Sequence, residues 1–385
     1  MIDMPGPSAD GSGTDSNADT KRLSRKEEKE MNRPGVPRYP KPSEGSVDNP
    51  QEIGGVRSST MRAVVQTGYG SADVLQPGNV ERPQIGPDEV LVEVHAAGVD
   101  RAVWHGMTGL PYVGRFVFGI RAPKFVVPGF DVAGVVVEVG NKVARFQPGD
   151  EVFGIGKGTF AEFAAASADK LSPKPASLTF AQAAAVPMSG ITALQGLIDV
   201  GRLAAGQNVL IVGASGGVGS YAVQIAKAMG ANVAGVSSAA KVDLVRSLGA
   251  DRVVDYTSED FADGSEQYDL ILDTGGNTAL KRLRKALTPR GTLVIVGGEG
   301  GGRILGIGRQ LQAVAWSPFL RQRLTMFTSK AHHRDLDRLG LLIESGDMVP
   351  AVHRVYPLDR APAALRDLET GQIRGKAVIG VKEGP

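Results

Sequence analysis

The sequence predicts an α/β protein made of a small, curled, barrel-like β domain joined to a doubly wound parallel sheet. Three observations carry this expectation. The chain has 385 residues, 42% of them hydrophobic, which is enough for two domains with real cores. Short β-rich runs broken by turn signals fill 61–185, whereas from 186 onward apolar runs alternate with segments of helical period. Within the second texture, "VLIVGASGGVGSYAVQIAKAMG" (209–230) sets a glycine cluster between an apolar strand and an amphipathic helix.

Residues 1–60 are rich in Gly, Pro, Ser, Asp, Lys and Glu and have no apolar periodicity, so they are expected to be disordered. A regulatory tail, an appended segment or an over-long gene start would each look this way. In 61–185, "MRAVVQ", "EVLVEVHAAGV", "DVAGVVVEVG", "GDEVFGI" and "TFAEFAAAS" read as strands. In 186–330, "NVLIVGA", "NVAGVSS", "DRVVDY", "YDLILDT" and "GTLVIVGG" are strands separated by the helical stretches "GSYAVQIAKAMG", "AKVDLVRSLG" and "NTALKRLRKALTP". Such alternation requires a parallel sheet covered on both faces. Residues 331–385 supply a helix, "RDLDRLGLLIESG", then "HRVYPLDRAPAALRDLETG" and a last strand, "KAVIGV", and are expected to pack back on the first domain.

Composition narrows the functions. Forty-three Lys and Arg against 41 Asp and Glu leave a net charge of +2, which gives no field to draw in nucleic acid or an anionic membrane. Cysteine is absent, so disulfides, thiolate nucleophiles and Cys-ligated metals are excluded, with a mild lean to the cytosol. No run reaches the roughly 18–20 apolar residues that span a bilayer, and the N-terminus lacks the pattern of a signal peptide. The expected location is cytoplasmic.

The glycine turn carries the chemistry. Val209–Val212 form the strand, and the helix spans Ser220–Met229, with Ala222, Ile225, Ala226 and Met229 on its apolar side and Gly230 as its stop. Between them, Ser215, Gly216, Gly217, Val218 and Gly219 are candidates to cradle a pyrophosphate on free N–H groups, although Ala214 holds the first glycine position of the G-x-G-x-x-G fingerprint. The competing reading is a turn whose glycines serve tight packing alone. An NAD site wants an acid at the end of the next strand; this chain has Ser237 and Ser238 there, with Lys241 beyond and Tyr256 closing "DRVVDY". The missing carboxylate predicts NADP(H), unless Lys241 is merely solvated and Ser238 a helix cap.

These motifs, with "DEVLVEVHAAGVD", "VPGFDVAGVVVEVG", "FQPGDEVFG", "AAAVPMSGITALQGL", "LVRSLGADRVVDY" and "GQIRGKAVIGV", resemble the medium-chain dehydrogenase/reductase superfamily, specifically its zinc-independent quinone oxidoreductase branch. The resemblance implies a GroES-like (chaperonin-10-like) barrel over 61–185, a Rossmann NADP-binding domain over 186–330, a cleft between them and a homodimer formed through the edge of the cofactor sheet. It also implies that Thr192, Gly297, Gly298 and Lys376 lie close to the cofactor. Thr192 capping a helix turn, a glycine pair ending a strand and a solvated Lys376 are the structural alternatives. Zinc-dependent relatives carry a Cys where this chain has Asp100 and a His where it has Phe130, so no metal is expected. His95, His105, His332, His333 and His353 show no motif linking them into a ligand set.

Without zinc, a conjugated acceptor is favoured, because its carbonyl spreads the charge that develops on hydride transfer. The expected enzyme is an NADPH-dependent reductase of a small apolar quinone, enone or similar substrate. Tyr112, near a family tyrosine facing the substrate, is the candidate proton donor, and Asp100 the alternative. Metal-independent alcohol oxidation and a non-catalytic, NADP-binding redox sensor are the rival functions. The basic, aromatic stretch 303–330 is a lid, a dimer contact or plain packing.

Overall fold

The computed structural model describes residues 59–297 and 308–382, which fall within the compact unit Val56–Pro385. Of the expected disordered tail 1–60, all but Ser59 and Thr60 lie outside these residues, and Thr60 opens a strand. β1 (Thr60–Val65) pairs antiparallel with β2 (Gln76–Glu81). β3 (Glu89–Val99) is the long central strand of the barrel-like half; β4 (Asp131–Val139) and β6 (Phe163–Ser167) flank it, and β5 (Glu151–Ile155) links β4 to β7 (Leu171–Pro173). Its β-branched and small residues suit a surface buried on both faces.

Six parallel strands form the second sheet: β8 (Asn208–Val212), β9 (Asn232–Ser237), β10 (Arg252–Asp255), β11 (Tyr268–Asp273), β12 (Leu287–Ile295) and β13 (Arg323–Met326). They run in the order β10-β9-β8-β11-β12-β13, which is the Rossmann arrangement, and the direction of winding reverses between β8 and β11. Successive residues of β8 serve opposite faces. Val209 and Ile211 join one core with Tyr221 and Ile225, while Leu210 and Val212 join another with Leu280, Leu283 and Ala313. That double burial explains the apolar runs.

The helix after β8, Gly217–Ala228, starts three residues before the expected Ser220, because Gly216 takes the extended N-cap conformation. Its residues from Gly219 to Ala226 are all buried, but Met229, expected on the apolar side, sits past the last turn and is exposed. In the basic, aromatic stretch, 303–307 lie outside the described residues. The remainder forms the helix Gly308–Trp316 and the edge strand β13, and Ala313, Leu324, Trp316 and Leu320 pack into the cofactor half, while Phe319 stays exposed.

After β13 the chain returns across both halves. The helix His333–Glu344 lays Leu339 against Gly190 of the helix Pro187–Leu194. β14 (Val352–Pro357) and β15 (Lys376–Gly380) pair parallel, and β15 pairs antiparallel with β3, completing the seven-stranded barrel sheet. The helix Ala361–Glu369 adds Ala361, Ala364 and Leu365 to the barrel core.

Candidate cofactor and active site

The glycine turn leaves β8 at the point where the sheet's winding reverses, the place where open α/β sheets take their ligands. Gly213 adopts φ +84° and Gly216 caps the helix, so the first amides of Gly217–Ala228 point outward with the positive end of the helix dipole. Gly219 must be glycine, since a Cβ there would lie 2.1 Å from the Gly213 carbonyl oxygen. A Cβ on Gly216 would meet only that same oxygen, at 3.4 Å, so this face is open. The cradle fits a dinucleotide pyrophosphate.

Beneath the cradle lies a buried ion pair. Lys376 opens β15 and is 1% exposed; its Nζ is 3.3 Å from Asp131 Oδ2 and 3.2 Å from Ser189 Oγ. Asp131 opens β4, is fully buried, and accepts a 2.9 Å bond from the Met188 amide at Oδ1. The Lys376 stem passes under the cofactor helix, where a Cβ on Gly217 would be 3.1 Å from Lys376 Cδ. Gly375 N donates to Ser215 O at 2.9 Å, tying β15 to the turn itself. Burial pushes Asp131 up to about 7, outweighing the Lys376 cation, and the nearby Asp100 charge adds to the rise. Tyr221, buried with its hydroxyl unpartnered, is raised well above its ordinary value by burial and then by Asp131.

At the end of β9, Ser237 is buried and Tyr256 is 57% exposed, its amide held by the Ser237 carbonyl. Lys241 differs from the expected free cation: its Nζ donates to Gly371 O at 2.6 Å and Ile373 O at 2.7 Å. Those carbonyls anchor it beside Arg374, and burial followed by Arg374 lowers its pKa. His353 is lowered by burial and then by Arg354, Arg374 and Lys241, so a cluster of positive charge lies here. Asp255 closes β10, but the amide of Thr257 and the hydroxyls of Thr257 and Ser258 occupy its oxygens and hold it below the usual carboxylate range.

Thr192 lies within Pro187–Leu194, where its hydroxyl bonds back to Met188 O at 2.7 Å and meets Ser329 Oγ at 2.9 Å. Gly297 approaches the Thr274 backbone so closely that a Cβ would lie 2.4 Å from its carbonyl oxygen; Gly298 is outside the described residues. Asp100 caps the helix Arg101–Thr108, accepting from Ala102 N and Val103 N through Oδ1, while Oδ2 is buried without a partner. This cap explains an acid after "AAGV" without any catalytic demand. Tyr112 is 47% exposed, with the Arg115 guanidinium 4.8 Å above its ring. An apolar pocket beside Arg101–Thr108 is lined by Phe118, Phe125, Val127, Pro128 and Phe130, with Gln66 as its polar member. Gln66 Nε2 donates to Gly106 O, leaving Oε1 buried and unpaired.

Phe130 carries no metal-donor atom, and Asp100 gives Oδ1 to the helix cap. Sequence reasoning missed Asp131, Ser189, Arg374 and Gln66 as site residues. For Asp131 a signal existed, because it is a charge placed directly before the apolar run "VAGVVV".

A six-stranded parallel sheet in Rossmann order, joined through a buried ion pair to a barrel-like half, is a fold that holds a nicotinamide cofactor. Residues 86–176 match the alcohol dehydrogenase GroES-like domain, and 248–379 match the family described as zinc-binding dehydrogenase. A 2-methylene-furan-3-one reductase of Solanum lycopersicum is 34% identical over 336 residues, covering 83% of this chain and 79% of that protein. A chloroplastic NADPH-dependent alkenal/one oxidoreductase of Arabidopsis thaliana is 33% identical, covering 83% and 79%. The solved quinone oxidoreductase from Coxiella burnetii superposes with a TM-score of 0.73 at 29% identity, covering 84% of this chain and 100% of that one. The chain belongs to the medium-chain dehydrogenase/reductase superfamily, alongside its quinone and enone oxidoreductases.

Proposed function

We propose that this chain transfers hydride from NADPH to a quinone, an enone or a similar conjugated apolar acceptor, without zinc. The observation that carries this reading is the pairing of an intact dinucleotide cradle with an apolar pocket in which Phe130 stands where a zinc ligand would be. Bound NADPH supplies the hydride. The chain holds the pyrophosphate on the first amides of Gly217–Ala228, shields the reaction with Phe118, Phe125 and Phe130, and leaves charge stabilisation to the acceptor's own conjugation. Relatives named for enone and quinone reduction support this substrate class. Steady NADPH consumption with 1,4-benzoquinone or an α,β-unsaturated ketone is expected. Tight NADPH binding without turnover across a broad acceptor panel would sink the reading.

Preference for NADPH rests on the cations near Lys241 and on the serines that end β9 where an acid would favour NADH. Lys241→Ala is expected to weaken NADPH binding about tenfold or more, the loss of one charge-assisted bond of roughly 1.5 kcal/mol, and to leave NADH affinity unchanged. Equal weakening of both cofactors would show that Lys241 acts only by holding Gly371 and Ile373.

For the proton we infer that Tyr112 donates, with water entering from the exposed side of its ring. Tyr112→Phe is expected to lower turnover about tenfold to a hundredfold while NADPH affinity stays constant, and unchanged kcat with several acceptors would remove Tyr112 from the reaction. The edge of β13 suits pairing with a second copy, which a mass measurement in solution tests. No described helix is long and apolar enough to cross a membrane, and a cytoplasmic location is part of the proposal.

A further inference from the structure

Two neighbouring histidines and an aspartate far from them in sequence converge where the turn between β6 and β7 meets the helix His333–Glu344. Asp169, His332 and His333 offer ligand atoms that all lie within 4.8 Å of one another. His332 Nε2 is 3.3 Å from Asp169 Oδ1, and His333 Nε2 is 3.7 Å from the same oxygen. Neighbouring histidines point the same way because His332 is the extended N-cap (φ −144°, ψ 142°) and His333 is the first helical residue. Their rings lie 4.4 Å apart and tilt by 35°.

The surrounding groups orient this set. One turn along the helix, Asp337 Oδ2 takes His333 Nδ1 at 3.0 Å, the partner that fixes a metal-binding imidazole with its Nε2 lone pair facing outward. Asp337 is itself held by Ser172 Oγ at 2.7 Å, with Arg145 3.9 Å away. Two carboxylates beside two imidazoles favour a dication, and the chain has no cysteine to compete for it.

We propose that Asp169, His332 and His333 form a binding site for a late first-row divalent ion, zinc above all, separate from the cofactor cleft. Two imidazoles and a carboxylate are an accepted donor set for zinc, with water completing a tetrahedron. Coordination by His332 has a readable consequence. Its Nδ1 accepts from the Arg334 amide at 3.1 Å, so the neutral ring carries its proton on Nε2. Metal binding moves that proton to Nδ1, and the Arg334 amide loses its acceptor. The ion would clamp the β6–β7 turn to the helix and raise the melting temperature by mass action.

Zinc titration of the full, untagged chain tests the site, together with pulsed electron paramagnetic resonance of the Cu²⁺-loaded protein. One zinc per chain, two equatorial imidazoles on Cu²⁺ and faster hydrogen exchange at the Arg334 amide are expected. Asp337→Asn should weaken zinc about tenfold to a hundredfold, as loss of an orienting partner does. The double variant His332→Asn/His333→Gln should weaken it further while keeping the wild-type circular dichroism and NADPH affinity. Zinc affinity unchanged in that variant overturns the proposal. If the variant does not fold, the Cu²⁺ spectrum of the wild type decides, and fewer than two coordinated imidazoles overturns it.

Discussion

At pH 8, where Asp131 is ionised beside its cation, Lys376→Met is expected to lose about 3 kcal/mol of stability and at least about tenfold in NADPH affinity, because it strips the counter-charge from a fully buried carboxylate and the support from beneath the cofactor turn. The two losses separate in the double variant Asp131→Asn/Lys376→Met, where no buried charge remains. Most of the stability should return there, and the cofactor affinity should not.

Asp131 also imposes a pH dependence whose sign is fixed. Its carboxyl rises from an ordinary 3.8 to about 7 in the folded chain, so between roughly pH 4 and 7 the folded state binds more protons than the unfolded one. Stability from the neutral acid is present at the low end of this window and is lost as pH climbs through about 7. Denaturant unfolding of wild type and Asp131→Asn at pH 5 and pH 8 isolates it, since His95 and His353, both lowered mainly by burial, are common to the two proteins. Wild type should fall relative to the variant as pH rises, and parallel profiles would contradict the account.

Gly219→Val carries the other large effect. Its Cβ would fall 2.1 Å from the Gly213 oxygen and 2.7 Å from Ala214 Cα, both backbone atoms, so the turn must open for any side chain to fit. Overpacking of this kind costs about 1–3 kcal/mol, and the opened turn no longer presents its amides together. Isothermal titration should show NADPH binding weakened by about a hundredfold or more. Near-normal affinity would mean that the pyrophosphate is held elsewhere.

The two-domain plan was legible because β8 and β11 are buried on both faces and therefore read as unbroken apolar runs, while the intervening helices show a 3.6 period. The glycine turn between β8 and its helix was legible because glycine is required there for backbone reasons that act locally. What escaped were relations between distant segments. Asp131, Ser189 and Lys376 meet only when β4, the helix Pro187–Leu194 and β15 assemble, and nothing local announces that a lysine will be buried. Asp169 likewise meets His332 and His333 only across the fold, which is why those histidines read as unlinked. Lys241 misled in another way: its charge was visible, but not the two carbonyls that hold it. Asp100, weighed as an acid, turned out to cap a helix whose start the sequence reading had not placed.

The central claim is most directly tested by offering the enzyme an α,β-unsaturated ketone and the saturated ketone of the same carbon skeleton, with 4-deuterated NADPH and no added metal. The account predicts turnover of the enone alone, with deuterium at its β-carbon and the saturated ketone as product. Equal or faster reduction of the saturated ketone to the alcohol would contradict it.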